Sequence, residues 1–167
     1  IEADGFLEDI TTVHCVWSYE VNSKSWDDSR SNCFDGLEAI LWDLQEADYL
    51  IGHNIIGYDI PAIQKIYPWF KPKGILIDTL IWSRLAYPDM YSIDASLKKS
   101  RRYTKEQIEE LYVYYKWDDA KGKLVKKRLE GSHSLMAWGV RLGEFKGSVA
   151  GDTGKTDWST WTPEMHE

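Results

Sequence analysis

The stretch from Ile51 to Ala62 carries the polar residues whose spacing best suits chemistry at the end of a sheet strand. A short apolar strand is predicted over Tyr49–His53, a glycine-containing turn follows, and a helix is predicted to begin at about Tyr58. This order would present Asn54 and Asp59 at the carboxyl end of a strand, which is where open α/β sheets bind their ligands.

The same two residues also have a purely structural interpretation. An aspartate in the first turn of a helix is stabilised by the helix dipole, which would explain Asp59. An asparagine is a common turn former, which would explain Asn54. Taken alone, the stretch leaves both interpretations open.

Charge is unevenly distributed along the 167 residues, whose net charge is −7. Residues 98–128 contain 11 Lys and Arg against 5 Asp and Glu, a local charge of +6, so the remainder carries −13. A basic stretch can neutralise phosphates and an acidic pocket can hold divalent cations, although a basic run can also be a solvated surface. Lys98 and Arg101 are the basic residues that we predict to hold nucleic acid.

The chain length predicts one domain, and the alternation of strands and helices predicts an α/β or α+β domain of three layers. The basic stretch lies inside residues 88–131, which interrupt this alternation. Hydrophobic periodicity and turn residues predict strands over 1–4, 10–19, 49–53 and 75–77, and helices over 34–46, 58–67, 79–87, 104–115 and 132–142.

Three signals refine the helix ends and the segment that follows them. Thr104 and Gln107 form a capping-box pattern, Asp78 is placed to cap the helix that follows it, and Gly143 is predicted to end the helix over 132–142. Residues 146–162 are predicted to form a loop, and 163–167 the first turn of a further helix capped by Thr162.

Composition also bears on the compartment. No run of 18 apolar residues is present, so no membrane span is expected. Cys15 and Cys33 lack metal-ligand spacing, which favours free buried thiols in a reducing cytoplasm. The chain begins at Ile1 without Met, and we take this as a hint of a trimmed start.

Four segments, in order, resemble the 3′→5′ exonuclease domain of phage family-A DNA polymerases, which is part of the DEDD superfamily. The pattern Asn54-x-x-x-Tyr58-Asp59 matches the second exonuclease motif, and Ile1-Glu2-Ala3 matches the end of the first. The other two matching segments are Ile77-Asp78-Thr79-Leu80 with Ser83-Arg84-Leu85, and Gly131-Ser132-His133-Ser134-Leu135 with Ala137-Trp138-Gly139 and Arg141-Leu142-Gly143-Glu144.

The resemblance implies a ribonuclease-H-like three-layer fold with a mixed central sheet flanked by helices. It implies hydrolysis of the 3′-terminal phosphodiester of single-stranded DNA, with carboxylates holding two divalent metal ions, Mg²⁺ or Mn²⁺. It also implies a polymerase domain in the same chain and a monomeric phage protein acting in the host cytoplasm.

Residue by residue, the resemblance assigns catalysis and metal binding to Glu2 and Asp59. It assigns Asn54 and Tyr58 to the pocket. The spacing of His53 from the other histidines fits no compact metal site, and we predict that His53 holds the Asn54 turn or contacts the substrate. The backbone at Ala3 would meet the terminal nucleotide. Phe6 would wedge against or stack on the terminal base, and the alternative is a core residue under a turn.

The first-motif aspartate would lie before Ile1, and the third-motif tyrosine and aspartate after Glu167. We therefore expect residues 1–167 alone to bind metal poorly and to cleave little. His166 leaves open the sister subclass with a histidine in its third motif. Two further alternatives are a free-standing DEDD nuclease and a catalytically dead exonuclease-like scaffold or DNA clamp.

Tryptophan is abundant in this chain. Trp17, Trp42, Trp69 and Trp82 recur on apolar faces, which predicts that they are mostly core residues.

Overall fold

A computed structural model describes residues 1–22, 25–27, 36–99, 104, 106, 112–118 and 120–143. They form mixed helix and strand structure, as the α/β prediction requires, in two compact units that divide after Thr79. Within these ranges the strands occur as pairs, three antiparallel and one parallel. The single domain, the ribonuclease-H-like three-layer arrangement and its central sheet stay predictions. No helix in these ranges is long and apolar enough to cross a membrane.

The first unit opens with two antiparallel strand pairs. Strand β1 (Glu2–Ala3) pairs with β2 (Val13–Cys15), and β3 (Ser18–Glu20) pairs with β4 (Ser25–Asp27). The single strand predicted over 10–19 is therefore wrong. Because β2 and β3 pair with different strands, the chain changes partner between them.

The rest of the first unit is a parallel strand pair with its crossover. Helix α1 (Leu37–Glu46) precedes β5 (Tyr49–Gly52), and β5 pairs in parallel with β6 (Ile75–Asp78). A parallel pair needs a crossover connection, and α2 (Ile60–Ile66) supplies it. These elements confirm the predicted order helix, strand, helix, strand.

The core of the first unit lies between α1, α2 and the strands. Leu41 is fully buried on the helical face that the hydrophobic periodicity predicts, whereas the equally buried Phe70 lies in the segment after α2. Trp42 corrects a prediction, because it is 52% exposed and stacks on Trp69 with a centroid distance of 4.8 Å. Cys15 is a buried free thiol as predicted, whereas Cys33 lies outside the described residues.

The second unit contains the continuation of α3 (Thr79–Ala86), then α4 (Met90–Lys99), a hairpin and α5 (Leu135–Leu142). Trp82 on α3 is 65% exposed, so the core prediction is wrong for this residue too. Ser134 caps α5, since its hydroxyl accepts from the Ala137 amide, and Gly143 ends the helix with a φ of 78° as predicted.

The helix predicted over 104–115 is wrong at its C-terminal end. Strand β7 (Val113–Asp118) pairs antiparallel with β8 (Lys123–Arg128) in a hairpin. Val113, Tyr114 and Tyr115 are strand formers, and a partner strand outweighs a short helical pattern. Gln107 of the predicted capping box, the loop over 146–162 and the turn over 163–167 lie outside the described residues.

A buried ion pair joins α4 to α5. Arg141 donates to both carboxylate oxygens of Asp94, from Nε at 2.8 Å and from Nη2 at 2.7 Å. The same carboxylate accepts from the Gly131 amide at 2.8 Å and the Tyr112 hydroxyl at 3.3 Å. The small apolar cluster beside it consists of Tyr112, Leu129, Ala137 and Val140.

Glu130, just after the hairpin, makes a second ionic cluster that predicts acid sensitivity. Desolvation raises the pKa of Glu130, but hydrogen bonds from Arg128 and Lys98 outweigh it and lower the pKa from 4.5 to about 2. A pKa lower in the folded than in the unfolded state stabilises the fold above pH 4.5, and this contribution is lost as pH falls toward 2.

We therefore expect Glu130→Gln to lower the free energy of unfolding at pH 7 by on the order of 2–3 kcal/mol, with the difference vanishing near pH 2. Urea titrations across this pH range measure the effect. Glu46→Gln, which removes a solvent-exposed pair with Lys73, is the control and should change little. A Glu130→Gln difference that does not depend on pH would contradict the explanation.

Candidate active site

The turn that joins β5 to α2 has an unusual backbone. Asn54 adopts the left-handed conformation with a φ of 67°, which asparagine tolerates better than most residues. A π-helical turn over Ile55–Asp59 follows, so α2 begins at Ile60 rather than at about Tyr58 as predicted. Such π turns are frequent at functional sites.

The buried carboxylate of Asp78, at the end of β6, holds this turn. Its Oδ1 accepts from the Asn54 amide at 3.0 Å and its Oδ2 accepts from the Ile56 amide at 3.1 Å. Sequence reasoning predicted Asp78 only as a helix cap and missed this role. No local sequence signal indicates this role, because it depends on the parallel pairing that places Asp78 opposite Gly52 at the end of β5.

His53 lies next to the same turn and is hydrogen-bonded to Thr79. The Thr79 hydroxyl donates to the Gly52 carbonyl at 3.2 Å, which leaves His53 Nδ1–H to donate to that hydroxyl at 3.1 Å. The other ring nitrogen, Nε2, is buried and has no hydrogen-bond partner among the described residues. The geometry agrees with the predicted role in holding the turn, and contact with substrate stays a prediction.

Two hydrogen bonds bring the N-terminal strand to the π-helical turn. The main-chain nitrogen of Ile1 lies 3.3 Å from Asp59 Oδ1, and the Tyr58 hydroxyl donates to the Gly5 carbonyl at 2.7 Å. Burial raises the pKa of Tyr58, and the negative charges of Asp59, Glu2 and Asp4 raise it further. The structure therefore brings Glu2, Tyr58 and Asp59 together from two distant segments.

The carboxylate of Asp4 is used structurally. It accepts from the amides of Thr11 and Thr12 at 2.9 and 3.0 Å and from the Thr11 hydroxyl. Desolvation raises the pKa of Asp4, but these hydrogen bonds outweigh it and hold the pKa at about 2. Asp4 thus closes the loop between β1 and β2, a role that the sequence alone did not indicate.

Phe6 lies in this loop and is 77% exposed. The alternative that Phe6 is a core residue is therefore wrong, whereas Ala3 beside Glu2 is buried. The Phe6 carbonyl accepts from the amides of Asp9 and Ile10 at 2.9 and 2.8 Å, so the loop turns back tightly.

Lys65 of α2 is hydrogen-bonded to the same loop. Its ammonium donates to the carbonyls of Leu7 and Glu8 at 3.0 and 2.7 Å. These bonds span almost 60 residues of sequence, and nothing in the local pattern around Lys65 indicates them. The loop is therefore held at both ends while the Phe6 ring faces solvent.

Of the two basic residues predicted to bind substrate, the structure describes one. Lys98, in the second unit, is paired with Glu130 and lies 4.5 Å from the centroid of the Tyr112 ring. Arg101 lies outside the described residues. Contact between either residue and DNA stays a prediction.

The carboxylates at the turn are suitable ligands for hard cations. Glu2 and Asp59 supply oxygen donors of the kind that Mg²⁺ and Mn²⁺ prefer. Among the described residues, no group of three or more His, Cys, Asp or Glu is placed to hold one ion. Metal binding by Glu2 and Asp59 therefore stays a prediction.

Gly57 lies in the π-helical turn, and a methyl group added there would meet the Asn54 side chain. A Cβ at Gly57 would lie 2.5 Å from Asn54 Oδ1, whereas a Cβ at Gly5 would meet its neighbours at 3.8 Å or more. We expect Gly57→Ala to displace the Asn54 side chain and lower any activity of this site severalfold, with Gly5→Ala close to wild type. Equal activity of the two variants would contradict this prediction.

The fold and the turn define a mixed α/β chain that presents carboxylates at the carboxyl end of a parallel strand pair. No family model matches the chain. It is 31% identical over 159 residues to the DNA-directed DNA polymerase of Escherichia phage T7, covering 91% of this chain and 20% of that protein. The same values hold for the DNA-directed DNA polymerase of Enterobacteria phage T3. The chain spans about a fifth of the length of these relatives and is similar to that region of them.

Proposed function

We propose that this chain is the 3′→5′ exonuclease, or proofreading, region of a phage-type DNA polymerase. The observation that carries the proposal is the meeting of two distant motif segments. The hydrogen bond from Tyr58 to Gly5 and the contact between Ile1 and Asp59 bring the Glu2 strand to the turn. Similarity to two phage DNA polymerases over most of the chain supports the same assignment.

In this proposal Glu2 and Asp59 help to hold two divalent metal ions, Mg²⁺ or Mn²⁺. Such ions, when bound, activate a water nucleophile and stabilise the leaving oxygen of a phosphodiester. Asp78 keeps the turn in place by accepting from the backbone of Asn54 and Ile56. A fixed turn reduces the reorganisation needed when the phosphate is attacked.

The substrate in this proposal is the 3′ end of single-stranded DNA. Phe6 is exposed on a loop held by Lys65, so its ring can stack on the terminal base without ordering a mobile segment. The main chain at Ala3 and the polar groups of Asn54 and Tyr58 contact the terminal nucleotide. We further propose that a polymerase domain is the partner in the same chain, and that the protein acts as a monomer in the host cytoplasm.

A directionality assay with the protein at its full natural length tests the proposal. With a 5′-labelled single-stranded oligonucleotide and Mg²⁺, we expect a ladder of products shortened one nucleotide at a time from the 3′ end. A phosphorothioate at the last linkage should slow the reaction, and a chelator should stop it. Products shortened from the 5′ end, or an intact oligonucleotide, would refute the proposed activity.

A further inference from the structure

The β7–β8 hairpin concentrates basic side chains on a narrow element of the second unit. Residues 113–128 contain six Lys and Arg against two Asp. All six basic residues are exposed, and they are Lys116, Lys121, Lys123, Lys126, Lys127 and Arg128. The hairpin is therefore a positively charged ribbon on a chain whose net charge is −7.

The base of this ribbon is firmly held. Tyr112 and Leu129 flank the hairpin, are both buried, and are joined by a backbone hydrogen bond of 2.9 Å. Tyr112 also donates from its hydroxyl to the buried carboxylate of Asp94. The hairpin thus starts from a fixed position, which limits the entropy lost if a ligand binds its outer part.

The strand register places three lysines on one face of the ribbon. Directly opposite residues of an antiparallel pair share a face, and so do residues two apart along a strand. Lys116 is opposite Val125, Lys123 is opposite Asp118, and Lys127 is opposite Tyr114. The three lysines therefore form a row along that face.

These three lysines differ from Lys121 and Arg128 of the same hairpin in having no acidic partner among the described residues. Lys121 pairs with Asp118 at 3.1 Å, and Arg128 pairs with Glu130 at 2.6 Å. Lys116, Lys123 and Lys127 make no ion pair within the ranges that the structure describes. Their charges therefore remain available to a ligand.

We propose that this lysine face, comprising Lys116, Lys123 and Lys127, binds the phosphate backbone of single-stranded DNA. Lysines are three of the six residues on this face, and its apolar residues Tyr114 and Val125 are half-buried. Protein interfaces, in contrast, deplete charge and especially Lys at their centre. Phosphate contacts made by lysines are independent of base sequence. The choice of a single strand rests on the proposed function, because an exonuclease region takes an unpaired 3′ end.

Salt-dependent binding of a labelled oligothymidylate by the full-length protein tests the proposal. The slope of log K against log salt is negative, and replacing the three lysines with Gln should reduce its magnitude by about 2, because each phosphate contact on a single strand contributes roughly −0.7. The matched control is the triple variant Lys71→Gln, Lys73→Gln and Arg84→Gln, which changes three exposed basic residues outside the basic stretch 98–128. This control should leave the slope near that of the wild type.

Three outcomes would overturn the lysine face. The first is an unchanged slope in the triple lysine variant, and the second is an equal change of slope in the control variant. The third is that the triple lysine variant loses binding to polyglutamate but keeps binding to DNA, which would point to an acidic protein partner. All binding is measured with a chelator present, so hydrolysis cannot contribute. If the wild-type protein has no exonuclease activity but the triple lysine variant shows the shallower slope, only the proposed function is refuted. If the wild-type protein is an active exonuclease but the variant has an unchanged slope, only the lysine face is refuted.

Discussion

Replacing Asp59 with Asn in the full-length protein is expected to slow hydrolysis of a 3′-terminal phosphodiester by at least about 100-fold, equivalent to roughly 3 kcal/mol of transition-state stabilisation. The side chain of Asp59, at the end of the π-helical turn, is 24% exposed, and Asp59 and Glu2 both lie close enough to Tyr58 to raise its pKa. Asn keeps the size of the side chain and an oxygen for the Ile1 nitrogen but removes the negative charge. The expected loss therefore reports the charge rather than the fold.

Single-turnover rates on a single-stranded oligonucleotide measure this effect. Asp43→Asn is the matched control, since it removes the same charge from an exposed position on α1 and should keep full activity. Glu2→Gln should resemble Asp59→Asn, and the double variant should lose little more than either single variant, because ligands of one metal site act as a unit. Wild-type rates for Asp59→Asn would remove the assignment of this turn as the active site.

The second large effect is expected for Arg141→Met, which should lower the free energy of unfolding of the second unit by about 3–5 kcal/mol. Asp94 is 1% exposed, and the variant would leave its buried carboxylate without its charged partner. It would also remove the bond from Arg141 Nη1 to the Ser132 carbonyl. Met fills a similar volume, so loss of the charge pair rather than a cavity dominates the expected change.

Denaturant titration of this variant, with three comparisons, separates the causes. Arg141→Lys keeps the charge but not the two-pronged geometry and should fall between wild type and Arg141→Met. Adding Asp94→Asn to Arg141→Met should cost less than the sum of the two single variants, because the unpaired charge is gone. Lys73→Met, which breaks a solvent-exposed pair with Glu46, should cost less than about 1 kcal/mol. A cost below 1 kcal/mol for Arg141→Met would contradict the role of the buried pair.

Most of the first unit could be predicted from residue order alone. The spacing of Leu37, Ile40 and Leu41 indicates one buried face of a helix, and all three are buried in α1. The short apolar runs that become β5 and β6 are recognisable because each is bounded by turn residues. These signals work because the burial of one helical or strand face repeats at a fixed local period.

The predictions that failed depend on partners far along the chain. Val113–Asp118 forms a strand because β8 pairs with it, although the preceding residues suggest a helix. Local propensity is worth at most about 1 kcal/mol per residue, so a complete ladder of hydrogen bonds can outweigh it. Trp42 shows the same limit, since periodicity suggests burial but the neighbouring Trp69 covers only one of its faces.

Some residues of the candidate site could likewise be predicted from the sequence, and others only from the tertiary structure. The sequence alone indicated Asn54 and Asp59, because a strand, a turn and a helix follow one another within a dozen residues, and the resemblance to an exonuclease motif added Tyr58. Only the tertiary structure revealed that Asp78 holds the turn and that Lys65 holds the Phe6 loop. A buried or bridging polar group needs a partner, but which partner it finds depends on strand register and on which loops meet, and neither is recorded in a local pattern.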